Sequence, residues 1–171
     1  MRQIAVRPAP GNLTRGVLVG PCFRAEAALG RSGIARSKRE GDGHTPAGNF
    51  RLLSVLYRAD RGPKPVTALP TTAFGRDFGW CDDPSDRNYN RQVRLPYAGS
   101  HERLWRDDRL YDIVVVLDFN LARPRPGGGS AIFMHVADTD FKPTAGCIAL
   151  AAHDLRRLLK RVGPETMLTV A

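Results

Sequence analysis

The segment FMHVADTDFKPTAGCIAL, residues 133–150, contains the residue types that thiol chemistry requires. His135 lies near the end of an apolar run, and Cys147 follows Thr-Ala-Gly directly before a second apolar run and a helical stretch. A thiol just upstream of a helix can have its pKa lowered by the helix dipole. A histidine twelve positions earlier can reach that thiol if the loop folds back. The segment therefore predicts a nucleophile and its base for acyl transfer, with a chance pairing of a core cysteine and a core histidine as the alternative.

Gly146 precedes the candidate nucleophile and has a role of its own in this prediction. A residue without a side chain lets a substrate carbonyl approach the backbone closely. We predict that the N–H groups of Gly146 and Cys147 form an oxyanion hole. The other two cysteines are weaker candidates: Cys22 lies in an apolar stretch and fits a small buried residue, and Cys81 precedes Asp82, whose charge disfavours a thiolate.

Metal-binding patterns are missing from the sequence. Neither a CxxC nor an HExxH motif occurs, and adjacent residues such as His101 and Glu102 rarely face one ion. We therefore expect no metal centre, and chemistry by a cysteine nucleophile and a histidine base needs no cofactor.

Strand signals dominate the elements that must position these residues. Apolar and β-branched runs predict strands at 4–6, 16–20, 49–59, 110–119, 130–137 and 166–170. The runs at 110–119 and 130–137 are unbroken, which is typical of strands buried on both faces. One apolar stripe predicts a C-terminal amphipathic helix, formed by Leu155, Leu158, Leu159 and Val162. The fold class is therefore mainly β, a sandwich or curled mixed sheet with one helix packed on it, in a single domain of 171 residues.

Residues 60–108 interrupt this pattern, since they contain many Pro, Gly, Asp and Asn residues and few periodic apolar positions. A long irregular stretch is uncommon in a compact domain unless it has a function, and loops on a β scaffold often carry substrate contacts. We predict that this insertion binds the substrate through Trp80, Asp82, Tyr89, Asn90, His101, Trp105 and Arg106. The alternative is a solvated loop fixed by its buried tryptophans.

The net charge of +9 limits the choice of partners. A basic protein is attracted to polyanions, but the basic residues are scattered, without the aromatic–basic interleaving of a nucleic-acid module. No run approaches the ~20 apolar residues of a membrane span, and the first residues show no apolar core of a secretory signal. We expect a monomer that binds no nucleic acid and does not insert stably into a membrane.

Two motifs resemble the active-site motifs of YkuD-type L,D-transpeptidase catalytic domains. The family's downstream motif is a histidine, a variable loop and Ser/Thr-His-Gly-Cys, matched here by His135, Thr144, Gly146 and Cys147. Its upstream motif is Thr-Pro-x-Gly-x-Phe before a central strand, matched here by Thr45, Pro46, Gly48 and Phe50. The resemblance implies that Cys147 attacks the carbonyl of an L-residue that precedes a D-residue in a peptidoglycan stem peptide. A thioester forms, and an amine of a neighbouring stem resolves it into a cross-link, with His135 moving the protons.

The resemblance also implies what surrounds this pair. In the family a backbone carbonyl next to the histidine orients the imidazole, which makes the carbonyl of Val136 the candidate third member. Thr144 and His44, in the two motifs, are predicted to contact the substrate. Because the stem peptides lie in the periplasm, we expect a periplasmic protein, although the N-terminal residues resemble no export signal.

Three departures from the family pattern concern the donor pocket. Ala145 stands where a second histidine is usual, Ala149 stands where Asn or Arg is common, and the loop from His135 to Thr144 is shorter. A remodelled pocket could accept the first-position bond of the stem, L-Ala before D-Glu, in place of the usual third-position donor. Two alternatives stay open: an L,D-carboxypeptidase or endopeptidase in which water resolves the thioester, and a non-catalytic basic module that binds the cell wall.

Overall fold

The structure, a computed structural model, describes all residues from 1 to 171. Strands dominate it, and the only α-helix is short. The elements are β1 (Gln3–Ala9), β2 (Asn12–Gly20), β3 (Phe23–Ala28), β4 (Ile34–Ala35), β5 (Thr45–Pro46), β6 (Gly48–Tyr57), β7 (Thr71–Ala73), β8 (Phe78–Cys81), β9 (Gln92–Arg94), β10 (His101–Arg103), β11 (Ile113–Leu117), β12 (Phe133–Val136), β13 (Ile148–Leu150), α1 (Ala152–Leu159) and β14 (Met167–Val170).

Nine of the strands form one mixed sheet that curls back on itself. Its order is β11-β12-β13-β3-β2-β1-β14-β6-β7, and β11 also pairs with β6. This extra antiparallel pairing, with Val115 opposite Val55, closes the sheet into a ring. The expectation of a mainly β fold with a curled mixed sheet is therefore confirmed.

The inside of the ring is an apolar core of 25 buried residues. Alternate residues of the strands enter it, such as Met134 and Val136 of β12, because successive side chains of a strand point to opposite faces. Helix α1 contributes Leu155, Leu158 and Leu159 from its apolar stripe, as the sequence predicted. No helix of the structure combines the length and the apolar character that crossing a membrane requires.

The outer face of β11 and β12 is buried by a second cluster of 11 residues. Val114 and Val116 point to this side, whereas Ile113, Val115 and Leu117 point into the core. The cover comes from a separate antiparallel sheet in the order β10-β8-β9. This explains why the sequence of β11 is apolar at every position: each of its faces has its own core.

The predicted irregular insertion at 60–108 is more ordered than expected. It contains β7 to β10, and three of these strands form the small sheet. Each has only three or four residues, too few for a visible alternation of apolar and polar positions. The prediction for Cys22 is wrong as well, since this residue is exposed in the turn between β2 and β3, where it has a φ of 54°. Cys81 is buried.

Candidate active site

Two neighbouring strands bring Cys147 and His135 to the same face of the ring. Strand β12 pairs in parallel with β13, with His135 opposite Ala149. Ile148 and Leu150 enter the inner core, so Cys147 and Ala149 face outward, where Cys147 joins the outer apolar cluster. The twelve-residue separation in sequence is closed by the return of the chain from β12 to the adjacent β13.

The thiol of Cys147 is held by the backbone on both of its hydrogen-bonding sides. It donates to the carbonyl of Ala131 at 3.2 Å and accepts from the N–H of Phe133 at 3.3 Å. Burial raises the pKa of Cys147 to about 12, and the negative charge of Glu102 adds to this rise. The Phe133 hydrogen bond and the charge of Lys38 act in the opposite direction but do not prevail. The resting nucleophile is therefore a neutral thiol.

The expected lowering of the thiol pKa by a helix dipole is not found. Strand β13 lies between Cys147 and α1, which begins only at Ala152. The effect of a helix dipole falls off within the first turn, so it does not reach this sulfur. In the sequence, the apolar run Ile148–Leu150 lies between Cys147 and the helix without a predicted element of its own, and pairing with β12 and β3 makes it a strand.

His135 is also neutral and has a fixed orientation. Its Nδ1 lies 2.8 Å from the carbonyl oxygen of Val136, which can only accept, so Nδ1 carries the proton and Nε2 has a free lone pair. Burial lowers the pKa of His135 to about 4. The ring of Tyr111 packs edge-on against the imidazole, with centroids 5.1 Å apart. The predicted hydrogen bond from His135 to the carbonyl of Val136 is therefore present.

The upstream and downstream motifs meet directly behind the nucleophile. The hydroxyl of Thr144 donates to the carbonyl of Cys147 at 2.7 Å, and Thr45 Oγ1 lies 3.5 Å from the same oxygen. The hydroxyl oxygen of Thr45 also accepts from the N–H of Gly30 at 2.8 Å. Gly146 has a φ of +141°, and a Cβ there would lie 2.8 Å from the carbonyl oxygen of His44. A glycine is thus required both by its conformation and by the close approach of the 44–46 segment.

The two N–H groups predicted to form the oxyanion hole differ in whether they are free to bind a substrate. The N–H of Gly146 already donates to Thr144 Oγ1 at 3.1 Å. The N–H of Cys147 makes no hydrogen bond with the protein. Cys147 therefore offers an unused backbone donor beside its own sulfur, whereas Gly146 contributes its conformation.

A cleft of about 590 Å³ opens onto the pair. This volume lies within the range of small-molecule and peptide sites, about 300–1,000 Å³. Five predicted residues line it, namely His135, Cys147, Thr144, Asp82 and Arg106. Ala145 and Ala149, the two departures from the family motif, line it too. No group of three or more His, Cys, Asp or Glu side chains is arranged to hold a metal ion.

Trp80 and Asn90 are not at the cleft but support it from behind. Trp80 and Asn90 are only 6% and 2% exposed. The indole N–H of Trp80 and the N–H of Ala131 both donate to Asn90 Oδ1, at 2.9 and 3.0 Å. The amide nitrogen of Asn90 donates to the carbonyls of Phe119 and Asn120. Since Ala131 accepts the Cys147 hydrogen bond, Asn90 fixes the backbone that holds the sulfur.

Tyr89 has a similar supporting position. It is buried, and its hydroxyl accepts from the N–H of Gly129 at 3.0 Å while donating to Glu40. The hydroxyl of Ser130 donates to the same carboxylate at 2.8 Å. Residues 129–131 are thus held by Tyr89, Asn90 and Glu40.

The three remaining predicted residues also lie outside the cleft lining. His101 Nδ1 is 2.8 Å from the carbonyl oxygen of Gly99, and its ring packs against Tyr97. Trp105 is half-buried beneath the guanidinium of Arg58, which lies 3.4 Å from the ring centroid. His44 has a buried Nδ1 without a hydrogen-bond partner. The structure does not bring these side chains to the nucleophile.

Several residues of the cleft were not predicted from the sequence. Tyr111 was hidden in an apolar run, and Glu102 was considered only as a metal-ligand partner of His101. Lys38, Glu40, Ser130, Asp138 and Lys142 complete the polar lining. A tyrosine beside the aliphatic residues of β11 was the one local signal, because a buried hydroxyl needs a partner; here Tyr111 donates to Glu102.

Comparison with known proteins agrees with the two motifs. A search of the curated proteins and a search of the solved structures gave no match. The family model for the YkuD L,D-transpeptidase catalytic domain matches residues 12–170, nearly the whole chain. The match spans the upstream motif, the histidine strand and the cysteine loop, which the structure has joined into one site. The chain belongs to the YkuD family of L,D-transpeptidase catalytic domains.

Proposed function

We propose that this protein is a peptidoglycan L,D-transpeptidase that works through a Cys147 thioester. The observation that carries the proposal is the arrangement at the cleft, where a thiol and an imidazole with a free Nε2 line one cavity. Membership of the YkuD family supports the choice of substrate, since the family acts on peptidoglycan stem peptides.

Acylation starts from two neutral groups. As the sulfur of Cys147 attacks the carbonyl carbon of the L-residue, its proton passes to Nε2 of His135. The carbonyl oxygen gains negative charge, which the unused N–H of Cys147 can stabilise. When the C–N bond breaks, the amine of the departing D-residue takes the proton from Nε2, and a thioester remains. No separate thiolate is required, which suits a thiol whose pKa is raised to about 12.

Deacylation repeats these proton movements with a different nucleophile. An amine of a second stem peptide attacks the thioester carbon and gives a proton to Nε2. The sulfur leaves and recovers that proton, so the enzyme returns to its starting state with a new amide bond formed. If water attacks, the product is a shortened stem peptide and the activity is that of an L,D-carboxypeptidase or endopeptidase.

The acyl donor is the finer part of the proposal. We propose that the cleft accepts the first-position donor, in which L-Ala precedes D-Glu. Ala145 and Ala149 line the cleft where the family pattern has larger polar residues, so space replaces polar contacts beside Cys147. Arg106 also lines the cleft. A contact between Arg106 and the third-position donor would favour that usual donor over the first-position one.

Purified enzyme and stem-peptide substrates test both parts. Mass spectrometry of the cross-linked fragments should show dimers joined through the first-position carbonyl, and the Cys147→Ala variant should produce none. Dimers joined only through the third-position carbonyl would overturn the donor assignment but keep the transpeptidase. Shortened monomers without dimers, at saturating acceptor, would identify the hydrolase in its place.

A non-catalytic module that binds the cell wall is the competing proposal from another class. It is favoured by the net charge of +9, which suits acidic wall polymers. Sedimentation with insoluble peptidoglycan, without thioester formation on Cys147, would support it.

We propose a periplasmic location for the enzyme, since its substrate lies there, and fractionation of the native cells tests this placement.

A further inference from the structure

The cations at the cleft are all engaged by carboxylates of their own. Lys38 pairs with Asp42 at 2.5 Å, and Arg106 pairs with Asp108 at 2.6 Å. Lys142 pairs with Asp138 at 3.2 Å. These three basic side chains therefore contribute little free positive charge to a ligand in the cleft.

Three cleft carboxylates lack such a partner. Glu40 accepts hydrogen bonds from the hydroxyls of Tyr89 and Ser130, and Glu102 accepts one from Tyr111. The Oδ1 atom of Asp82 is buried and has no hydrogen-bond partner. None of the three forms an ion pair within 4 Å. In a protein with a net charge of +9, the cleft beside the nucleophile is thus lined by three carboxyl groups without a cationic partner.

These carboxylates are close enough to affect one another and the nucleophile. Burial raises the pKa of Glu102, and the negative charges of Asp82 and Glu40 contribute to the rise, while Arg106 opposes it. The charge of Glu102 in turn disfavours ionisation of Cys147. The group is not arranged as a metal site. Two neighbouring carboxylates without a cationic partner, here Glu102 and Asp82, are suited to a single cation with several hydrogen-bond donors, such as a primary ammonium.

We infer that Glu102 and Asp82 form a subsite for a primary ammonium group of the stem peptide, beside Cys147. The inference rests on the proposed function and names the substrate feature that the cleft selects. An ammonium bound there faces two carboxyl groups of the cleft lining that have no cationic partner in the protein, and it offsets the Glu102 charge that opposes loss of the thiol proton. Binding of the correct substrate would therefore also make Cys147 more reactive.

Charged thiol reagents test the subsite without requiring turnover. The background is Cys22→Ser, because Cys22 is exposed and Cys81 is fully buried. The probes are trimethylammonioethyl and sulfonatoethyl methanethiosulfonate, of similar size and opposite charge. In each reaction the Cys147 sulfur, after losing its proton to solvent, forms a disulfide and displaces methanesulfinate.

At pH 8 the cationic probe should react about tenfold faster than the anionic one, as a nearby unpaired charge demands. Glu102→Gln, which keeps an acceptor for Tyr111, should reduce this ratio several-fold, and Asp82→Asn should do the same. Glu165→Gln is the matched control, an exposed carboxylate away from the cleft that makes no ion pair, and it should leave the ratio unchanged. Equal rates for both probes in the parent protein, or a ratio that Glu102→Gln does not change, would overturn the subsite.

Peptide pairs identify which ammonium is bound. Donor peptides with a free or an N-acetylated side-chain amine are compared by the rate of thioester formation without acceptor. Acceptor peptides with a free or an acetylated second amine are compared in the complete reaction. A preference for the free amine in only one of the two comparisons shows whether the bound ammonium belongs to the donor or to the acceptor peptide. Loss of that preference in Glu102→Gln shows that the amine binds at the subsite. Turnover without any preference for the free amine overturns the inference but leaves the transpeptidase intact, whereas a charge-dependent probe ratio without turnover refutes the transpeptidase alone.

Discussion

The two sides of the cleft are built on different principles. On the sheet side, strand β12 and the residues just before it hold Cys147 and His135 by backbone groups: the carbonyls of Ala131 and Val136 and the N–H of Phe133. On the opposite side, the small sheet and the segment after it supply charged side chains such as Asp82, Glu102 and Arg106. Backbone atoms set the geometry and neutrality of the reacting groups, and side chains set the charge that a substrate meets.

This difference has a physical origin. Sheet hydrogen bonds fix backbone atoms closely, and burial on both faces excludes water, which favours uncharged reacting groups. On the other side Asp82, Glu102 and Arg106 are only partly buried, so ionised side chains are less costly there, although burial still raises the pKa of Glu102. Substitutions on the sheet side should therefore affect the chemical step, and substitutions on the charged side should affect the choice of substrate.

The largest effect is expected at the nucleophile. Cys147→Ala should abolish turnover, a loss of at least about a thousandfold, while the melting temperature stays near that of the parent protein. His135→Ala should cost about as much, because nucleophile and base act as one unit. Cys22→Ala is the control, since this exposed thiol is not part of the cleft lining. Residual activity near the parental level in Cys147→Ala would discard the assignment.

Thiol reagents should react with Cys22 before Cys147, although the sequence predicted a reactive Cys147 with a lowered pKa. With a pKa of about 12, Cys147 has a thiolate fraction about a thousandfold below that of an ordinary thiol at the same pH. Iodoacetamide at pH 8 should therefore label exposed Cys22 first, with the Cys147 rate rising about tenfold for each pH unit up to the thiol pKa. Peptide mass mapping over time follows both sites. Faster labelling of Cys147 at pH 8 would show an ionised nucleophile.

Asn90 tests whether the two sides are mechanically joined. Asn90→Ala removes the acceptor of Trp80 and Ala131 in a buried place, so the free energy of unfolding should fall by about 2–4 kcal/mol. The folded fraction should also lose kcat, because the Ala131 carbonyl that orients the thiol is released. Exposed Asn49→Ala should change stability by less than about 0.5 kcal/mol. Unchanged stability and kcat in Asn90→Ala would separate the two sides.

The smallest effect concerns pH and His135. The folded-state pKa of His135 is lowered to about 4 from 6.5, so the unfolded chain binds this proton at higher pH than the folded protein. The contribution to stability is complete above about pH 6.5 and is lost as the pH falls towards 4, by at most about 3 kcal/mol. Urea unfolding at a series of pH values should show a flatter curve for His135→Gln than for the parent protein. Parallel curves would contradict a buried neutral imidazole.

Part of this molecule was predictable from local sequence. The apolar runs around His135 and Cys147, the amphipathic helix and the Thr-Ala-Gly-Cys motif depend on residue type and spacing, and these gave the β-rich fold and the candidate pair. A glycine at position 146 was predicted so that a substrate carbonyl could approach, and the structure adds two reasons of its own: a φ of +141° and the close approach of the His44 carbonyl.

The rest was decided by contacts between residues distant in the chain. Ile148–Leu150 became a strand because β12 and β3 lie beside it, which removed the helix dipole from the thiol. Tyr89 and Asn90 became supports because they form hydrogen bonds with residues 119–131, and Trp80 because it donates to Asn90 and packs against Phe133. The charge of the cleft depended on which carboxylates found cations, and pairing of this kind is fixed only when the chain has folded. Local sequence thus determined which residue types could react, whereas tertiary packing decided their protonation and their partners, because burial and charge depend on neighbours that sequence distance does not reveal.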